Sequence, residues 1–112
     1  MLKKKNRVDK SLFKDVVRKG VGYYSQNIFL KIVKNSPVKP KFSVSAPKKE
    51  IKTAVKRNLL KRRIFSILHK VLPKTKPPFI CVIFAKKEAL NLPYSKLEDE
   101  IVFLLKKAKI LS

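Results

Sequence analysis

The sequence predicts an α+β fold, one sheet with helices packed against it. Three observations carry that prediction. The apolar pattern changes period along the chain, in the order helix, two or three strands, helix, strand, helix. The run FICVIFA, residues 79–85, is apolar at every position, as expected of a strand buried on both faces. Turn-forming prolines fall between the patterned segments.

Residues 1–8 form a basic arm. In DKSLFKDVVRKG, Leu12, Phe13, Val16 and Val17 have helical spacing, which predicts a short helix over about 10–19. Asp9 or Ser11 is placed to cap its start, and Gly20 to close its end. Ile28, Leu30 and Ile32 alternate with Phe29, Lys31 and Val33, a strand pattern. SPVKP then turns the chain, and KFSVSA alternates again through Phe42 and Val44. A further strand within 20–26 is only weakly signalled. A long helix is predicted from Thr53 to Leu72, stopped by Pro73 and followed by the loop PKTKPP. The last helix, in PYSKLEDEIVFLLKKAKIL, has Tyr94, Leu97, Ile101, Leu104 and Ala108 on one stripe. Ser95 and Glu98 have capping-box spacing. Acids lie early in this helix and lysines late, matching the helix dipole.

The chain has 112 residues, ordinary for one domain, and 45% of them are hydrophobic. Twenty-nine Lys and Arg against 7 Asp and Glu give a net charge of +22. Disordered chains carry such charge without apolar periodicity, and this one is periodic. Self-repulsion on this scale disfavours a compact state and points to a polyanionic partner. Nucleic acid is the first candidate, because neutralised phosphates release counterions. Cys81 is the single cysteine, so neither an internal disulfide nor a cysteine-based zinc cluster is expected, and it reads as a small core hydrophobe. The N-terminus lacks an apolar signal-peptide core, and no run approaches the ~20 residues of a membrane span. These features predict a soluble, cytoplasmic protein with no membrane partner.

The segment KTAVKRNLLKRRIF concentrates the charge in Lys52, Lys56, Arg57, Lys61, Arg62 and Arg63. Like charges one turn apart each destabilise a helix slightly, and residues 51–68 contain no acid to offset them. Solvated faces ordinarily mix signs. On an ideal helix Leu60, Ile64, Ile67 and Val71 form a narrow apolar stripe for the sheet. Arg57 and Lys61 lie beside it, and Asn58 and Arg62 extend the same side. Lys52, Lys56 and Arg63 lie on the other flank. The C-terminal half, with Phe65, Ile67, Leu68, Val71 and Leu72, is apolar nearly all round. The positive N-terminal dipole adds to the attraction for phosphate.

No catalytic residues emerge. His69 is the single histidine and has no nucleophile or metal partner near it in sequence. No paired carboxylates suit two-metal nuclease chemistry.

AVKRNLLKRRI resembles the signature of the bacterial ribonuclease P protein component. Ala54, Val55, Arg57, Asn58, Lys61 and Arg62 match its Ala-Val-x-Arg-Asn-Arg-x-x-Lys-Arg-like spacing. KKNR (4–7), LFKDVVRKG (12–20), FSVS (42–45), FICVIFAKKEAL (79–90) and LEDEIVFLLKKAKIL (97–111) resemble the family's segments in order, over nearly the whole chain. Leu59 departs from the pattern where the second arginine of Arg-Asn-Arg is expected, and Phe65 and Ser66 replace a later Arg-Glu pair. Val17 stands where a second aromatic is expected, and APKKEIKT is a longer link than usual. The chain therefore resembles a divergent member.

The resemblance implies an α-β-β-β-α-β-α sandwich with one four-stranded sheet and a left-handed βαβ crossover. It implies a single RNA-binding domain over 1–112, monomeric outside its holoenzyme. The function implied is that of the protein subunit of ribonuclease P, an endoribonuclease that removes the 5′ leader of precursor tRNA. Catalysis would come from the RNA subunit with Mg²⁺, with no cofactor bound by the protein alone. Arg57, Asn58, Lys61 and Arg62, then Lys56 and Arg63, would contact that RNA, where arginine gives bidentate phosphate binding. Phe13 would stack on unpaired leader bases or pack in the core, and Val17 would line the same face. Lys31 and Phe29 could floor the cleft, although alternation alone does not say which faces it. Lys48 and Lys49 would touch either RNA, and Asn6 and Arg7 would add arm contacts. Tyr23 and Tyr24 could stack on bases or pack at an edge. Composition alone equally allows a structural RNA-binding protein such as a ribosomal protein. A stand-alone nuclease lacks the residues, and a membrane-surface protein lacks a broad apolar face.

Overall fold

The computed structural model describes residues 10–34, 41–75 and 79–111, apart from the side chains of residues 10–13, 15, 34 and 41. The arm with Asn6 and Arg7, the Asp9 cap and the SPVKP turn lie outside the described residues. The elements are α1 (Lys10–Lys19), β1 (Val21–Tyr24), β2 (Ile28–Lys34), β3 (Lys41–Ser45), α2 (Ala54–Val71), β4 (Phe79–Ala85) and α3 (Tyr94–Lys107). Short 3-10 turns follow α2 at Leu72–Lys74 and β4 at Lys87–Asn91. The order is the expected α-β-β-β-α-β-α, and the weakly signalled strand exists as β1.

The four strands form one mixed sheet in the order β1-β2-β4-β3. β1 and β2 are an antiparallel hairpin, and β4 runs antiparallel to β2 and parallel to β3. The apolar FICVIFA run is explained by this place: β4 has a strand on each side and apolar packing on both faces. Period-2 alternation sorts the side chains. Ile28, Leu30, Ile32, Phe42, Val44, Phe79, Cys81 and Ile83 join the main core with Leu60, Ile64 and Ile67 of α2 and Leu97, Ile101 and Leu104 of α3. The opposite face carries a smaller cluster, in which Val16 of α1 packs on Ile80 and Val82. Each fully buried aliphatic side chain contributes about 1.5–3 kcal/mol. Burial also pushes the Cys81 thiol up, so it is an inert core group.

Gly20 closes the end of α1 as expected, without a positive φ. Its role is close approach: a Cβ there would crowd the Val16 carbonyl, which accepts the Gly20 N–H at 2.7 Å. Three local expectations are corrected. The capping box of α3 is not made, because the helix begins earlier, at Tyr94, with Pro93 before it and no side-chain cap. Tyr94 leaves the predicted stripe and is exposed, with its hydroxyl 3.0 Å from the Ser66 hydroxyl. Phe65 and Leu72 are only half-buried, so the C-terminal half of α2 is buried on one side and not all round.

Glu100 of α3 clamps the β1–β2 turn. Ser25 Oγ and the Asn27 backbone N–H donate to its Oε1 at 2.5 and 2.6 Å, and Asn27 Nδ2 donates to Oε2 at 3.1 Å. Burial alone would raise the carboxyl pKa, but these donors outweigh it and hold the group below its ordinary range.

Candidate nucleic-acid interface

α2 presents the cations because its apolar residues are already committed. Leu60, Ile64, Ile67, Leu68 and Val71 are buried, and the first two turns leave everything else toward solvent or the helix flanks. Lys56, Asn58 and Arg62 are exposed, while Arg57, Lys61 and Arg63 are half-buried. Among the described residues no carboxylate pairs with Lys56, Lys61, Arg62 or Arg63. Thr53 precedes the helix without a side-chain cap, so the first-turn N–H groups and the positive dipole end add to the field.

Arg57 is partly engaged. Its Nη1 donates to the carbonyls of Ile51 at 2.8 Å and Lys52 at 2.9 Å. These bonds tie the first turn of α2 to the loop before it, and they leave Nε and Nη2 as donors for another group. The same loop is held by Pro47, whose carbonyl accepts the N–H groups of Glu50 and Ile51 at 3.0 and 2.9 Å. Ile51 is buried beneath it. Lys48 and Lys49 are exposed on this turn.

The second region is the sheet face under α1. Strand register places Phe29 and Lys31 together on the α1 side, in phase with Phe84 and Val82. Lys31 Nζ donates to the Val17 carbonyl at 2.8 Å, filling an acceptor in the last turn of α1. Val17 itself is half-buried. Phe13 lies within α1, and its side chain is outside the described residues.

A residue missed by sequence reasoning completes this face. Tyr24, Phe29 and Phe84 occupy one cross-strand row, with Tyr24–Phe29 centroids 5.4 Å apart and Phe29–Phe84 centroids 4.7 Å apart, both stacked. Tyr24 is 60% exposed, and the other two rings are half-buried. Phe84 was hidden because it sits in an unbroken apolar run, where only register reveals that it shares a face with Phe29. Tyr23, one residue away, turns to the main core. The row continues to Ser45 at the end of β3, from which the chain runs through Lys48 and Lys49 into α2. The two regions are thus joined by one short stretch of backbone.

No group of three His, Cys, Asp or Glu among the described residues is placed to hold a metal ion. No helix among them is long and apolar enough to cross a membrane.

Fold and site define a class: small, strongly basic α+β domains that carry an acid-free cationic helix between two parallel strands. Within that class the sequence profile of one family, Ribonuclease P, matches residues 2–109. A ribonuclease P protein component from Microcystis aeruginosa is 31% identical over 103 residues, covering 88% of this chain and 86% of the relative. One from Cyanothece sp. is 35% identical over 77 residues, covering 69% of this chain and 59% of that relative's length. The solved Staphylococcus aureus RNase P protein superposes with a TM-score of 0.82 at 21% identity, covering 96% of this chain and 98% of the other, a likeness of fold. The chain belongs to the ribonuclease P protein family.

Proposed function

We propose that this chain is the protein subunit of a ribonuclease P ribonucleoprotein, assisting removal of the 5′ leader from precursor tRNA. The observation that carries the reading is the N-terminal half of α2: cations that pair with no carboxylate among the described residues, and no acid from 51 to 68, in a chain of this family. Arg57, Asn58, Lys61 and Arg62, flanked by Lys56 and Arg63, contact the RNA subunit. Lysine and arginine supply charge-assisted phosphate bonds, and Asn58 supplies a directional donor and acceptor. The face under α1 takes the single-stranded leader. The rings of Tyr24, Phe29 and Phe84 offer a stacking platform for unpaired bases. Val17 belongs to its α1 wall, with Phe13 an expected leader contact on the same helix, Lys31 to its floor, and Lys48 and Lys49 to the rim between leader and RNA subunit. The protein contributes positioning and charge. The cleavage step is assigned to the RNA with its Mg²⁺, as the likeness to the ribonuclease P protein family implies.

The test is leader removal from precursor tRNA at low Mg²⁺ by the ribonuclease P RNA of the same source, with and without this protein. Faster cleavage is expected when the protein is added. No stimulation over RNA alone overturns the reading, and cleavage by the protein with no RNA subunit assigns the chemistry to the protein instead.

A further inference from the structure

The cationic helix carries an apolar pair that neither the core nor the charge explains. Val55 is 75% exposed and Leu59 is 44% exposed. They lie one turn apart on α2, on the side away from the buried stripe. Helix propensity does not account for Val55, because β-branched side chains lose rotamer freedom in a helix. Cations flank the pair, Lys56 on one side and Arg62 on the other, with Asn58 between the two turns. The absence of acid across 51–68 selects a polyanionic occupant. A phosphate gains nothing from a leucine or valine methyl, whereas the face of a nucleobase does.

We propose that Val55 and Leu59 form an apolar seat for an unpaired nucleobase of the RNA subunit, with the flanking cations holding the phosphates on either side of it. The proposal rests on the reading of α2 as the RNA-subunit face. It makes Leu59 a contact of a different kind from its neighbours: insensitive to salt, and selective for a base that is out of its stack.

The experiment measures affinity of the full chain for the ribonuclease P RNA of the same source across a salt titration, together with chemical probing of the RNA bases. Leu59→Ala and Val55→Ala should each weaken binding about five- to tenfold, as expected for loss of part of a buried aliphatic contact. The slope of log K against log salt should not change. One unpaired base should be protected by the native protein and released by Leu59→Ala. Leu59→Arg should weaken binding despite its added charge. Unchanged affinity for both alanine variants overturns the proposal. So does Leu59→Arg binding more tightly with a slope steeper by ~0.7–0.9, the mark of a phosphate at that place. Self-association of the free chain that Leu59→Ala abolishes, with RNA affinity intact, assigns the pair to a protein contact and overturns it as well. Lys61→Ala and Arg62→Ala separate the two levels. If they weaken binding and flatten the slope while the apolar variants are neutral, only the base seat fails. If they too are neutral, the assignment of α2 as the RNA face fails.

Discussion

Individual residues here do two jobs, and the two can be separated by measurement. Arg57 holds the 51–52 carbonyls and lies on the proposed RNA face. Arg57→Ala should therefore cost about 1–3 kcal/mol of stability, from two hydrogen bonds to a charged group, and also weaken RNA-subunit binding. Lys61→Ala should weaken binding with little change in the urea midpoint. A variant pair in which stability falls equally for both contradicts the assigned hydrogen bonds. Glu100 has a purely structural task, with a pH signature. Its folded pKa lies below the ordinary glutamate value of about 4.3. Its contribution is therefore complete above that value and is lost as pH falls through the lower folded value. Stability curves of the native chain and Glu100→Gln should differ at neutral pH and converge only once pH has fallen through the lowered folded pKa. Parallel curves at all pH values count against the clamp.

At the scale of elements, much was legible, and the reasons for the rest are physical. The boundaries of α1, β2, β3, α2 and β4 follow from periodicity and prolines, because each element buries one defined face or, for β4, both. β1 was faint because an edge strand of four residues, with Val21 and Tyr24 exposed, has little burial to impose alternation. The cap of α3 misleads because Ser95 and Glu98 have the right spacing for a capping box that the chain does not use. Spacing along the chain shows α2's two surfaces well, since a helix is a local object. It cannot show the aromatic row, which is assembled from β1, β2 and β4 and exists only through register. That row makes a prediction of its own. Tyr24→Ala should change stability by about 1 kcal/mol or less, as a cross-strand pair does, and weaken binding of leader-bearing precursor tRNA by ~1–3 kcal/mol, the value of one stacked base. Mature tRNA without a leader is the control, and an equal loss on both substrates removes Tyr24 from the leader face.

For the whole molecule, charge and size set opposite responses to salt. The described residues span 36 × 28 × 25 Å, and the full chain carries a net charge of +22. At 0.01 M salt the Debye length, about 30 Å, matches those dimensions, so nearly every cation repels every other. At 1 M it is about 3 Å, and repulsion is local. The free protein's melting temperature should therefore rise with salt, while its affinity for RNA falls, with log K declining by ~0.7–0.9 per phosphate neutralised. Replacing Lys56, Lys61 and Arg62 together with alanine should raise the melting temperature at low salt and flatten the binding slope by about 2 to 3. A free protein whose melting temperature does not move with salt contradicts the picture of a fold held under electrostatic tension.

The placement of β4 also governs when the molecule can come into being. It lies between β2 and β3, yet it follows both in the chain, with α2 interposed. Until residue 85 is available, the β1–β2 hairpin and β3 share no hydrogen-bonded neighbour, and the stripe of α2 has no finished surface to cover. Folding is thus gated by a non-local event, the insertion of a late strand into a reserved gap, and such pairings are slow to form. A nascent chain held at a length short of that strand should be cut readily by protease, and one extended through α3 should resist.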